Sequence, residues 1–181
     1  MSNRAIIVVD IQNEYFSTGK LPLEGIETAA KNAAKVIEQA RSAKDLVVYV
    51  RHESADSDIP FFTPGTQGVA IHPIVAPLDS ETVLLKHFPN SFLETGLKEL
   101  LDRHDIEEVV VIGAMSHMCI DATSRAASDF GYKTTIVHDA CATQDLEFDG
   151  MAVPASQVHA AMMAALAFAY GTVITTEQYI A

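Results

Sequence analysis

The chain has 181 residues, 49% of them hydrophobic and 20% charged, which is the balance of a single soluble domain (residues 1–181) with one substantial core. Twelve basic against twenty-four acidic residues leave a formal net charge of −12. That charge repels a phosphate backbone or an anionic bilayer, and no basic cluster offsets it, so nucleic acid and membrane surfaces are excluded as expected partners.

The opening "MSNR" runs straight into "AIIVVD", with no long apolar leader and cleavage site, and nothing later reaches membrane-spanning length. The expected location is the cytoplasm, where Cys119 and Cys141 are expected as free thiols. In chain order the strand candidates are "AIIVVD" (5–10), "LVVYV" (46–50), "TVLLK" (82–86), "EVVVIG" (108–113), "KTTIVHD" (133–139) and "TVITT" (172–176). Most are continuously apolar, as strands covered on both faces are. Helical patterns fall near 26–43, 94–104, 119–130 and 155–170. The alternation predicts an α/β fold with a parallel sheet and right-handed crossovers. Two connections, 52–81 and 140–154, are long enough to be expected as functional or mobile loops. The last long helix, "SQVHAAMMAALAFAY", is apolar nearly all round: a core helix first, a subunit interface second.

Ligands of such sheets bind beyond the carboxyl ends of the strands, where the strand order reverses. Three reactive residues fall at those ends. Asp10 closes the first strand, Lys86 closes the third, and Cys119 follows the fourth by a short turn and opens a helix. Each has an ordinary structural alternative: a turn or capping aspartate, a solvated lysine, a cysteine acting as a small hydrophobe. Their common position at one rim favours chemistry. A free thiol titrates near about pH 8.5; a helix N-terminus and an ammonium both favour its anion and are expected to lower its pKa by about two units. A carboxylate can take the thiol proton.

The stretches "IIVVDIQNEYF", "LLKHFPNSFLETGL", "VVVIGAMSHMCIDATSRAASDFGY", "TTIVHDACAT" and "HAAMMAAL" together resemble the isochorismatase-like cysteine hydrolases, a superfamily of isochorismatase, nicotinamidase and N-carbamoylsarcosine amidohydrolase. The resemblance spans essentially the whole chain. Its specific patterns are a spaced trio: D-x-Q at the first strand end, Lys86 followed by Ser91 and Phe92 at the third, and G-x-x-S-x-x-C-[VI]-x-x-T at the fourth. It implies a three-layer Rossmann-like fold with a six-stranded parallel sheet of order 3-2-1-4-5-6 flanked by helices. It also implies a catalytic triad of Asp10, Lys86 and Cys119, a cis peptide at Ala114–Met115, and an oxyanion hole built from the backbone N–H groups of Met115 and Cys119.

The nicotinamidase branch carries a D-x-H metal motif after its second strand. Here Val50 stands two places before His52, so no required metal and no cofactor are expected. His52, Glu53, Asp56, Asp58, His72 and His87 lack tight ligand spacing. His117, two residues before the cysteine, is expected in the pocket wall rather than in a Cys–His dyad, and Cys141 as a buried structural thiol. The expected substrate-binding residues are Gln12, Phe16, Phe88, Phe92, Met115, His117 and Ile120, with Phe61 and Phe62 as further wall candidates; such an aromatic-rich pocket leans towards a flat or apolar acyl group.

The expected activity is hydrolysis of a C–N bond in a small amide or ureido substrate through a thioester on Cys119. The alternatives are vinyl ether cleavage of the isochorismatase type, which needs no nucleophile, a non-catalytic small-molecule binder, and a redox-sensing thiol protein. Partners are expected to be a small-molecule substrate and further copies of the chain, as a dimer or tetramer.

Overall fold

A computed structural model describes residues 2–56 and 58–181. Its main sheet has six parallel strands: β1 (Arg4–Val9), β2 (Leu46–His52), β3 (Thr82–Lys86), β4 (Glu108–Ala114), β5 (Lys133–Ala142) and, sixth in the sheet, β8 (Thr172–Ile174). Their spatial order is β3-β2-β1-β4-β5-β8, and every pairing is parallel. This is the order expected from the sequence; the last strand is numbered eighth because a hairpin precedes it.

The central strands are apolar on both faces because both faces are covered. One face, with Ile6, Val8, Val47, Tyr49, Val110 and Ile112, packs against α1 (Ile26–Ala43). That helix turns Ile26, Ala29, Ala30, Ala33, Val36, Ile37 and Ala40 inward at helical spacing. The opposite face, with Ala5, Ile7, Val9, Val48, Val109 and Val111, packs against α2 (Leu97–Arg103), α3 (Asp121–Asp129) and α4 (Ala155–Ala169). The result is three layers. No helix among the described residues is long and apolar enough to cross a membrane.

Three local differences from expectation have plain causes. The 140–154 connection is partly structured: β5 runs on to Ala142, and β6 (Leu146–Phe148) pairs antiparallel with β7 (Met151–Val153). The two residues between them, Asp149 (φ 50°) and Gly150 (φ 75°), are both left-handed, the geometry a two-residue hairpin turn demands. The "TVITT" strand stops at Ile174 because Thr175 caps a short helix, α5 (Thr176–Ile180). The Thr175 hydroxyl accepts from the Gln178 N–H and the Gln178 side chain accepts from the Thr175 N–H. Replacing Thr175 by alanine is expected to cost about 1 kcal/mol in equilibrium denaturation; an unchanged midpoint would mean that α5 contributes nothing to stability. Finally, α4 buries only one face, and Phe168 on it is 93% exposed.

The 52–81 connection is held in place by the residues that follow β1. Glu14, itself buried, accepts from the Phe62 N–H, Asn13 Nδ2 donates to the Gln67 carbonyl, and the His72 N–H donates to the Ile11 carbonyl. Its far end is tied to α1 through the two-pronged Arg41–Glu81 pair at 2.8 and 2.7 Å.

Candidate active site

The carboxyl edge of the sheet gathers three chemically useful residues: Asp10 just after β1, Lys86 at the end of β3 and Cys119 in the turn after β4. Strand order reverses between β1 and β4, which makes this the crevice where an open α/β sheet takes its ligands. Val9 and Gly113 are register partners there. Gly113 adopts φ 128°, and a β-carbon on it would lie 1.8 Å from the Val9 carbonyl oxygen. Only glycine lets β1 and β4 run this close just before they deliver Asp10 and the cysteine loop. Asp10 follows with φ 52°, a left-handed conformation that aspartate tolerates better than most residues.

Lys86 Nζ lies 2.7 Å from Asp10 Oδ2 and donates to Cys119 Sγ at 3.2 Å, and both charged side chains are fully buried. The structure thus brings together Asp10, Lys86 and Cys119 from positions far apart in the chain. Asp10 Oδ1 is buried with no hydrogen bond among the described residues, which leaves it capacity for a proton. Burial pushes the Asp10 carboxyl up, and Lys86 draws it only part of the way back. Burial also works against the Lys86 ammonium, but the Asp10 carboxylate and Cys119 together hold its pKa above the usual lysine value.

The thiol departs from expectation. Burial, reinforced by the Asp10 charge, pushes Cys119 up to about 12, with Lys86 pulling the other way. The expected lowering assumed a sulfur open to solvent, whereas Cys119 is 7% exposed and shares its ammonium with a carboxylate. Burial thus favours the neutral thiol, beside a carboxylate and an ammonium within ion-pair distance of each other.

The peptide bond between Ala114 and Met115 is cis, as the resemblance implied. Residues Ser116–Ile120 then form one π-helical turn that runs into α3. The Met115 carbonyl accepts from the N–H of Met118 at 3.0 Å and of Ile120 at 3.1 Å, a pattern that passes over the Cys119 N–H between them. The loop is anchored from the far side: Ser116 Oγ donates to the Ala142 carbonyl at 3.3 Å and lies 2.8 Å from His159 Nδ1 on α4.

The expected pocket walls divide. Phe88 is exposed, Met115 is half-buried, and His117 Nδ1 lies 2.6 Å from Thr143 Oγ1 at the same edge. Phe16 is buried, with its ring stacked on His72 at 3.7 Å. Gln12, Phe92 and Ile120 are interior instead. Gln12 is fully buried and serves as a strap: its Nε2 donates to the His52 and Val69 carbonyls, and its Oε1 accepts from the His52 N–H. Phe92 packs against Phe130 and Tyr132, and Ile120 lies in the core beneath α3. Phe62 is also buried, edge-on to Tyr15. With those aromatics turned inward, the lean towards a flat acyl group loses its support. Five surface cavities among the described residues, one of about 310 Å³ lined by His138, Cys141 and His159, have walls that do not include Asp10, Lys86 or Cys119. Cys141, as expected, is a buried free thiol; its sulfur meets the Val137 carbonyl.

Fold and site together define an α/β protein of the doubly wound type with a buried carboxylate–ammonium–thiol cluster at the switch point of its sheet. Residues 4–178 match the model of the isochorismatase domain, and the chain belongs to the isochorismatase family. An uncharacterised isochorismatase family protein of Bacillus subtilis is 48% identical over 97% of this chain and 98% of its own length. A maleamate amidohydrolase of Pseudomonas putida is 28% identical over 75% of this chain and 70% of its own. Among solved structures, a protein assigned to the isochorismatase hydrolases from Oleispira antarctica superposes with a TM-score of 0.95 at 50% identity, covering 99% of this chain and 97% of that one. The family is hydrolytic.

Proposed function

We propose that this chain is a cysteine hydrolase that cleaves a C–N bond in a small amide or ureido-type substrate through a thioester on Cys119. The observation that carries the reading is the single ammonium of Lys86 placed 2.7 Å from Asp10 and 3.2 Å from Cys119 in a buried site. The name of the maleamate amidohydrolase relative points to the same bond.

Asp10 takes the Cys119 proton as the sulfur attacks the substrate carbonyl. The resulting tetrahedral oxyanion rests on the backbone N–H groups of Met115 and Cys119, the latter passed over by the Met115 carbonyl. The C–N bond breaks as Asp10 passes the proton to the departing nitrogen, leaving a thioester. A water then gives its proton to Asp10 and attacks the thioester. The acid leaves as the C–S bond breaks, and the proton on Asp10 returns to the sulfur. Lys86 keeps the carboxylate charged and shields the sulfur as it becomes anionic, and no cofactor takes part.

A panel of small amides and ureides, read by ammonia or amine release, tests the bond class; turnover confined to vinyl ethers would contradict it. The pH dependence carries its own sign. Protonated Asp10 cannot accept the thiol proton, so the rate falls as pH falls. Because the Asp10 pKa is raised, that fall is expected at higher pH than for a free aspartate. An acid limb at or below the ordinary aspartate range would contradict the assignment of the base. Self-association as a dimer or tetramer belongs to the same reading, supported by the exposed Phe148, Met151 and Phe168 side chains. Sedimentation of the wild type and of Phe168→Glu tests it, with a monomeric wild type as the contrary result.

A further inference from the structure

Lys86 stands on β3, two strands from the end of β1 that carries Asp10, so its side chain must cross the end of β2. With strands about 4.8 Å apart, that crossing spans about 10 Å and needs support along the way. The residue at the end of β2, and the register partner of Lys86, is His52. Its Nδ1 lies 3.3 Å from Lys86 Nζ. An ammonium can only donate, so Nδ1 must be the unprotonated nitrogen of the ring, with the proton on Nε2. Asp10 Oδ2, Cys119 Sγ and His52 Nδ1 then provide three acceptors for the three ammonium protons.

His52 is itself fixed. Gln12 grips its backbone on both sides, accepting from its N–H and donating to its carbonyl, each at 2.8 Å. Its ring stands edge-on to Phe62 at 5.2 Å. The charged or titratable groups facing it are Lys86 at the end of β3 and His87 immediately after it. Burial first, then those two groups, push the imidazole down to about 4, so it stays neutral at ordinary pH.

We propose that His52 is a positioning residue: by accepting one proton of the buried ammonium it fixes the Lys86 rotamer that aims the other two at Asp10 and Cys119. The inference deepens the reading of Cys119 as nucleophile and rests on it. Its prediction is that removing the acceptor leaves an ammonium proton unpartnered and lets the lysine swing away from the sulfur.

The test needs no substrate. Alkylation of Cys119 by iodoacetamide, located by peptide mapping, is followed across about pH 6 to 9 in the full chain. Four forms are compared: wild type, His52→Leu, His52→Asn and Lys86→Met. Asparagine can place its Oδ1 where the imidazole Nδ1 stood, whereas leucine fills space without an acceptor. His52→Leu is expected to slow alkylation about tenfold and move its pH profile upward, and His52→Asn to recover most of the rate. In the wild type, nitrogen NMR is expected to report the Nε2–H tautomer of His52 over about the same pH range. A His52→Leu profile equal to wild type while Lys86→Met shifts it would overturn the His52 role and leave the triad intact. Equal losses in the leucine and asparagine variants would reduce His52 to packing, and an Nδ1–H tautomer would overturn the role even if neither variant folds. If Lys86→Met also leaves the profile unmoved, the reading of Cys119 as a lysine-assisted nucleophile fails with it.

Discussion

Replacing Cys119 by alanine is expected to lower turnover of an amide substrate by at least about a thousandfold, with the fold unchanged. The site offers no second nucleophile at the position of the sulfur: Ser116 is turned back against Ala142 and His159, and Asp10 is held by Lys86. Residual activity would come only from binding and the backbone donors. Steady-state kinetics on whichever amide the panel identifies would measure it. Undiminished turnover in Cys119→Ala would leave acid-catalysed cleavage by Asp10, the vinyl ether type of chemistry, as the surviving enzymatic reading.

The second large effect is on stability. Lys86→Met leaves the Asp10 carboxylate fully buried without its cation, and breaking a buried pair from one side costs about 3–5 kcal/mol. Denaturant titration at neutral pH measures the loss. The unpaired carboxyl then has a folded-state pKa raised further above its unfolded value, so its native form binds a proton that the unfolded form releases. The deficit is therefore expected to be present at neutral pH and to shrink as pH falls through that raised pKa. Adding Asp10→Asn to Lys86→Met is expected to restore part of the loss, because an amide needs no counter-charge. A Lys86→Met chain as stable as wild type at every pH would mean that the pair carries no structural weight.

The layers of this molecule are legible in the sequence because parallel strands buried on both faces read as continuous apolar runs. "AIIVVD", "LVVYV" and "EVVVIG" mark β1, β2 and β4 to within a residue or two. The convergence of Asp10, Lys86 and Cys119 is legible for a related reason: in a sheet of this type every strand ends at the same edge. The hairpin at β6 and β7 also has a readable signal, the Asp149–Gly150 pair between short hydrophobic stretches, and the Thr175–Gln178 box marks α5; both lie inside segments whose composition suggests loop or strand. Other features have no one-dimensional signature. Whether Gln12 faces a ligand or the backbone of the next strand depends on the fold of residues 52–72, which the residue type does not reveal. The direction of the Cys119 pKa depends on how deeply the sulfur is buried and on its sharing one ammonium with Asp10. His52 reads in the sequence as one more loop histidine, and only the register of β2 against β3 sets it beside Lys86.

Rapid acid quenching of the chain during turnover, followed by mass analysis of the peptide that contains Cys119, tests the account most directly. The account predicts an added mass equal to the acyl part of the substrate on that peptide, absent from Cys119→Ala and from a chain quenched without substrate. Hydrolysis proceeding at full rate with that peptide never modified, or with the acyl group found on Cys141 instead, would contradict it.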